Sequence, residues 1–223
     1  FTYRCNGESI GQFGCESDRV SQTVNGVTTN YVLDSASPLT QVLADGTNFY
    51  VYGLGRVSQV QLGDPTPEYF LTDALGSVRQ LTHESSSIIA SKSYDPYGNT
   101  LSSTGSVESA FGFTGEQTDP SGMVYLRARY YTPTDARFLT RDTWEGDHNR
   151  PLSLNRWMYG YGNPVKYIDP TGHTVEDPLT ATQWSLAKQE AIRFGIPKEL
   201  VAGTLAAEIV YDSDFINTMY DVS

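Results

Sequence analysis

The sequence predicts a mainly β chain built of antiparallel hairpins and followed by a short α-helical C-terminal tail; three observations predict it. Aromatic residues make up 12% of the 223 positions, 15 of them Tyr, a content suited to pleated, half-buried surfaces. The 20 Gly and 11 Pro are spread along the chain, as many short strands joined by tight turns require. Apolar and polar residues alternate between turn signals up to about residue 173, and from residue 174 the alternation stops.

Each element follows in order. Cys5 and Cys15 lie in a polar, Gly-containing stretch with no companion His or Cys set for zinc, and they can form a disulfide only if the protein is exported. Residues 19 to 34, "RVSQTVNGVTTNYVLD", alternate Val with polar residues around Asn25-Gly26, the strongest short hairpin signal. Residues 41 to 53 repeat the design around Asp45-Gly46. Residues 69 to 101 repeat it again, with turns near Leu75-Gly76, at Glu84 to Ser87 and at Asp95-Pro96-Tyr97-Gly98. These units recur at roughly twenty residues, and a single one cannot cover its own apolar face, so they are expected to stack into one continuous sheet. Asn163-Pro164-Val165 is expected to set the last strand. Residues 174 to 223 are rich in Ala, Leu, Glu and Lys and predict helices at about 181 to 194 and 197 to 211, with Gly195 stopping the first and Pro197 opening the second.

The net charge of −11 argues against nucleic acid or an anionic membrane as the main partner, because an acidic surface gains nothing from counterion release. No apolar run reaches the roughly 18 residues that span a bilayer. The start, "FTYRCNGESIG", lacks both Met and the order of a signal peptide, which is read as a fragment whose targeting signal lies upstream.

An ordered series of motifs then narrows the reading. Arg129-Tyr130-Tyr131, Arg137-Phe138-Leu139-Thr140-Arg141-Asp142, Ser153-Leu154-Asn155, Asn163-Pro164-Val165 and Asp169-Pro170-Thr171-Gly172 resemble, in that order, the core domain of RHS/YD-repeat proteins. That family includes polymorphic toxins, the C components of Tc toxins and, more distantly, teneurins. "YGLGRVSQV" (52 to 60) and "YDPYGNTL" (94 to 101) look like YD-repeat units, so the resemblance covers roughly residues 19 to 173. It implies YD-repeat hairpins over 1 to 110 forming part of a β-spiral shell, a core domain over 111 to 173, and a variable effector segment over 174 to 223. It also implies secretion or a cell-surface location, and partners in the chain's own C-terminal effector, a secretion apparatus and an immunity protein. No cofactor or metal is called for.

The resemblance further implies an intramolecular aspartyl protease that cuts just after the last D-P-x-G motif. Two neighbouring carboxylates cannot both ionise freely, so one can activate water while the other holds a proton. The positions that match are Asp142 and Asp169, with Arg129 as helper and His173-Thr174 as the expected scissile bond. Thr143 stands where the first motif usually has Pro, and His173 where autocleaving relatives place Leu. Taken alone, either Asp reads as a turn residue that hydrogen-bonds the backbone. Arg127, Arg137 and Arg141 lie close in sequence to Arg129, and His173 is itself a candidate base.

In the tail, "FGIPKELVAGTLAAEI" (194 to 209) is weakly similar to the catalytic helix of lysozyme-like transglycosylases, with Glu208 as general acid. Leu200, Val201, Leu205 and Ile209 share a helical face, and Glu208 falls within its arc. Asp212 and Asp214 are candidates for a second carboxylate; pairing of Glu208 with Lys188 or Arg193 is the structural alternative. Three readings follow: a toxin-delivery shell that releases its effector, a non-enzymatic surface or wall scaffold, and a glycan-cleaving tail.

Overall fold

The computed structural model describes residues 2–5, 17–37, 39–53 and 55–179, and their paired strands are antiparallel. Strands β1 (Thr2–Cys5), β2 (Ser17–Val24) and β3 (Val27–Asn30) form a three-stranded sheet. Next come β4 (Val32–Asp34), β5 (Gln41–Ala44), β6 (Asn48–Tyr52), β7 (Arg56–Gln61), β8 (Pro67–Thr72), β9 (Val78–Thr82), β10 (Ile88–Tyr94) and β11 (Thr100–Gly105). They make one eight-stranded sheet in which sequence order is spatial order. A third sheet holds β12 (Gln117–Thr118), β13 (Val124–Leu126), β14 (Arg129–Thr132) and β15 (Arg137–Phe138).

The turns explain the meander. Asn25 and Gly26 join β2 to β3 with φ of 51° and 82°, the left-handed pair that a type I′ hairpin needs. Asp73 and Asp95 open the turns before β9 and β11. The carbonyl of each accepts the amide of the Gly three residues on, at 2.9 and 3.0 Å for Gly76 and Gly98. Their Oδ1 atoms accept further amides, from Leu75 and Ser77 and from Tyr97 and Asn99. The side chain thus completes the turn that the backbone begins.

Register places Tyr50, Phe70, Leu81 and Ala90 on one face, where they are buried together with Val78 and Phe111. Phe111 meets Tyr50 edge-on at 4.8 Å. The opposite face leaves Phe49, Val51 and Leu71 about half exposed. Two residues beyond Phe111, Phe113 enters a second core with Val124, Leu126, Tyr131, Phe138 and Tyr159. Tyr131 and Tyr159 stack there at 4.2 Å, both fully buried. The segment Phe111-Gly112-Phe113 therefore belongs to both cores and couples the long sheet to the small one. Arg19 on β2 adds a second coupling: Nη1 binds both carboxylate oxygens of Asp119 at 2.8 and 2.9 Å, and Nη2 binds Gln117.

After β15 the expected alternation of strands and turns gives way. Residues 139 to 167 run through turns and the 3-10 segments Pro151–Leu154 and Gly160–Gly162, with isolated bridges at Arg137–Met158 and Asp147–Arg150. Asn163-Pro164-Val165 forms a turn instead of a last strand: Asn163 accepts the amides of Lys166 and Tyr167, and Pro164 has no amide to give a ladder. The expected helices of the tail, and with them Lys188, Arg193, Glu208, Asp212 and Asp214, lie outside the described residues, as does Cys15.

Candidate functional site

The site is assembled around the tight turn from β13 to β14. Arg127 takes a φ of 55° there, and Arg129 starts β14 with its guanidinium carbon 3.6 Å above the buried ring of Phe138. Packing against that ring fixes where the guanidinium points. Its Nη2 lies 2.7 Å from Oδ2 of Asp142 and 3.2 Å from Oδ2 of Asp169, so one nitrogen bridges both carboxylates. Its Nη1 donates to the carbonyl of Arg156 at 3.0 Å, and Nε donates to the carbonyl of Gly172.

Asp142 follows β15, where the chain pairs loosely with residues 156 to 158. Its amide donates to the carbonyl of Arg156 at 3.0 Å, and the Arg156 guanidinium donates back to the carbonyls of Asp142 and Thr143. Its Oδ1 accepts the amide of Trp144 at 3.0 Å and lies 3.0 Å from Nδ1 of His173.

Asp169 lies in a loop closed at its base by the Ile168–Glu176 bridge, with N–H to carbonyl distances of 2.9 and 2.8 Å. The turn Asp169 to Gly172 sits inside this loop with Gly172 pressed onto the β13–β14 turn. A Cβ there would stand 2.3 Å from the Leu126 carbonyl and 2.9 Å from the Arg129 amide, and φ is +75°, so only Gly fits. The carbonyl of Pro170 accepts from Arg127, whose guanidinium also pairs with Glu116 at 2.9 Å. Oδ1 of Asp169 then reaches forward to the amide of Thr174 at 3.0 Å, and Thr171 Oγ1 accepts the amides of both His173 and Thr174.

Asp169 is 1% exposed, and burial raises its pKa above the ordinary carboxylate value despite the opposing charge of Arg129 and the Thr174 amide. Burial also lowers the pKa of Arg129, against the pull of Asp142 and Asp169. Both directions express one fact: two carboxylates share one buried cation, and desolvation outweighs the pairing.

The residues singled out in the sequence thus come together: Asp142, Asp169, Arg129 and His173 are mutual neighbours, and the amide of the His173-Thr174 bond touches Asp169. Among the other arginines, Arg137 and Arg141 are exposed. Sequence reasoning missed Arg156, whose role runs through backbone carbonyls that no motif records. It also missed Asp119-Pro120-Ser121-Gly122, a second copy of the same turn: Gly122 donates to the Asp119 carbonyl at 2.8 Å, and φ is +81°. Asp119 too is buried with a raised pKa, but it faces Arg19. A repeated D-P-[ST]-G pattern was the available signal for that copy.

The chain is similar to several known proteins. A family model described as teneurin YD-shell matches residues 43–165. The tRNA(Glu)-specific nuclease WapA of Bacillus subtilis subsp. natto (strain BEST195) is 32% identical over 168 residues, covering 72% of this chain and 7% of the relative. Toxin subunit YenC1 of Yersinia entomophaga is 24% identical over 197 residues, covering 77% of this chain and 19% of the relative. The solved TcdB2-TccC3-Cdc42 structure superimposes with a TM-score of 0.53 at 23% identity, over 66% of this chain and 8% of that one. The chain therefore spans about 7% of the length of the nuclease relatives it matches.

Proposed function

Because the chain belongs to the teneurin YD-shell family, we propose that it is a piece of an RHS-type toxin-delivery shell whose core cuts its own chain between His173 and Thr174 and so frees the segment that follows. The observation that carries this reading is the single guanidinium nitrogen shared by Asp142 and Asp169, next to a carboxylate oxygen hydrogen-bonded to the Thr174 amide.

The chemistry is hydrolysis by two carboxylates with different duties. Asp169, whose burial favours its protonated form, acts as the acid and lies beside the nitrogen that must leave as an amine. Asp142 takes a proton from water, whose oxygen adds to the carbonyl carbon of His173. The C–N bond breaks, the Asp169 proton goes to Thr174 nitrogen, and the proton gained by Asp142 restores the pair. Arg129 keeps the two carboxyl groups within reach of one bond and, through Nε on the Gly172 carbonyl, holds the loop in register with them. Export or display at the cell surface, an immunity protein and a secretion apparatus belong to the same reading.

The test is expression of the full chain, a denaturing gel, and the mass of the new N-terminus. Wild type should yield a fragment beginning at Thr174, and Asp142→Asn and Asp169→Asn should remain whole. A wild-type chain that stays intact, or aspartate variants that still cut, would refute the proposal.

One observation favours the surface-scaffold reading: Asp142 accepts the amide of Trp144, two residues on, as a plain turn aspartate does. An intact wild-type chain would support it. Glycan cleavage by Glu208 calls for loss of peptidoglycan hydrolysis in Glu208→Gln.

A further inference from the structure

We propose that His173 is a positioning residue that selects which peptide bond is cut, by docking the acyl side of that bond onto Asp142. This rests on the cleavage reading above and adds to it a reason why one bond of the loop is singled out.

The loop backbone is held on both sides of the bond by contacts that do not involve Asp142. The Gly172 carbonyl rests on Arg129, the His173 amide on Thr171 Oγ1, and the Thr174 amide on Asp169 and Thr171. Besides the bridge through Arg129, the direct side-chain contact from this loop to Asp142 among the described residues is that of His173, with Nδ1 3.0 Å from Oδ1. In the cleavage reading Asp142 is the base and therefore only accepts, which puts the hydrogen of this pair on Nδ1. Neighbouring bonds lack such an anchor: Gly172 has no side chain, and Thr174 is exposed.

The groups facing the imidazole are Asp142 directly, Arg129 behind it on Oδ2, the Trp144 amide sharing Oδ1, Arg156 on the Asp142 carbonyl, and Asp169 across the Thr174 amide. Removing the imidazole leaves Asp142 tethered by Arg129 and Trp144. His173 is itself about a quarter exposed, at 25%, so its replacement opens no core. The effect therefore falls on the scissile segment, and alignment is where proximity effects in catalysis are large.

Asn separates this role from simple space filling, because its side-chain amide nitrogen can take the position of Nδ1, whereas Ala offers no donor. In a time course with the full chain, His173→Ala should slow cutting by about 10- to 100-fold, the loss of one hydrogen bond to a charged group. It should also scatter the new N-termini over adjacent bonds. His173→Asn should restore most of the rate and a single terminus at Thr174. Equal rates for Ala and Asn, or an Ala variant cutting like wild type at the same bond, would overturn the His173 assignment alone. An uncut wild type, or cutting that survives Asp169→Asn, would overturn the cleavage reading beneath it.

Discussion

Replacing Gly172 with Ala tests how tightly the loop is tied to the β13–β14 turn, and Gly122→Ala supplies the control. Both glycines close a D-P-[ST]-G turn with similar backbone, φ +75° and +81°. A left-handed Ala costs about 1–2 kcal/mol at either position. At Gly122 nothing lies within 4 Å of the added methyl, so the cost ends there. At Gly172 the methyl would stand 2.3 Å from the Leu126 carbonyl and 2.9 Å from the Arg129 amide, both backbone atoms that cannot rotate aside. The loop must back away, giving up the Arg129 bond to the Gly172 carbonyl and the 3.2 Å bond from the Ala128 amide to Thr171. A hydrogen bond from a charged donor contributes about 1.5–3 kcal/mol and a backbone one about 1 kcal/mol. Gly172→Ala should therefore destabilise by about 3.5–6 kcal/mol against about 1–2 for Gly122→Ala. Urea unfolding of both in an Asp142→Asn background, where no cut intervenes, measures the difference. Midpoints that coincide for the two variants would refute the account of the loop as anchored by its glycine.

Two further outcomes are expected in the same background. Asp73 is pushed above the ordinary carboxylate value by burial, which its amide bonds to Ser77 and Leu75 and the charge of Arg79 offset only in part. The protonated form is thus favoured by folding, and that contribution is complete below the unfolded pKa and lost as pH rises through the folded one. Asp73→Asn keeps the acceptor for both amides and never ionises, so its thermal midpoint should exceed that of the parent at pH 7 and converge with it in acid. Asp119→Ala strips a buried partner from Arg19 and should cost about 3–5 kcal/mol in urea unfolding, whereas the double replacement Arg19→Met with Asp119→Leu should recover most of it.

The parts of the fold legible in the sequence are those where a local rule is also the tertiary rule. Asn25-Gly26 demands positive φ at two successive residues, and few structures other than a hairpin use that. The spacing of Asp73 to Gly76 and of Asp95 to Gly98 encodes the carbonyl-to-amide closure of each turn. Residues 139 to 167 were illegible for the opposite reason: their shape depends on partners far away in sequence, such as Arg156 holding the Asp142 carbonyl and Trp157 accepting from Phe138. The candidate site was legible through an ordered resemblance, which pointed to Asp142, Asp169 and Arg129. Local pattern alone could not have chosen among them. Asp119 and Asp169 open nearly identical turns and are both buried, and what separates them is which arginine the small sheet brings opposite, Arg19 or Arg129.

The Ile168–Glu176 bridge spans the bond proposed to break, and this gives scission and departure separate clocks. Severing His173 from Thr174 opens a ring whose two ends remain clasped by a pair of N–H···O bonds, 2.9 and 2.8 Å long. Each contributes on the order of 1 kcal/mol. A nicked molecule would thus keep its two new ends side by side only while that bridge, about 2 kcal/mol in all, stays closed. Parting the strands is then a mechanical step, sensitive to tension or denaturant in a way that hydrolysis is not.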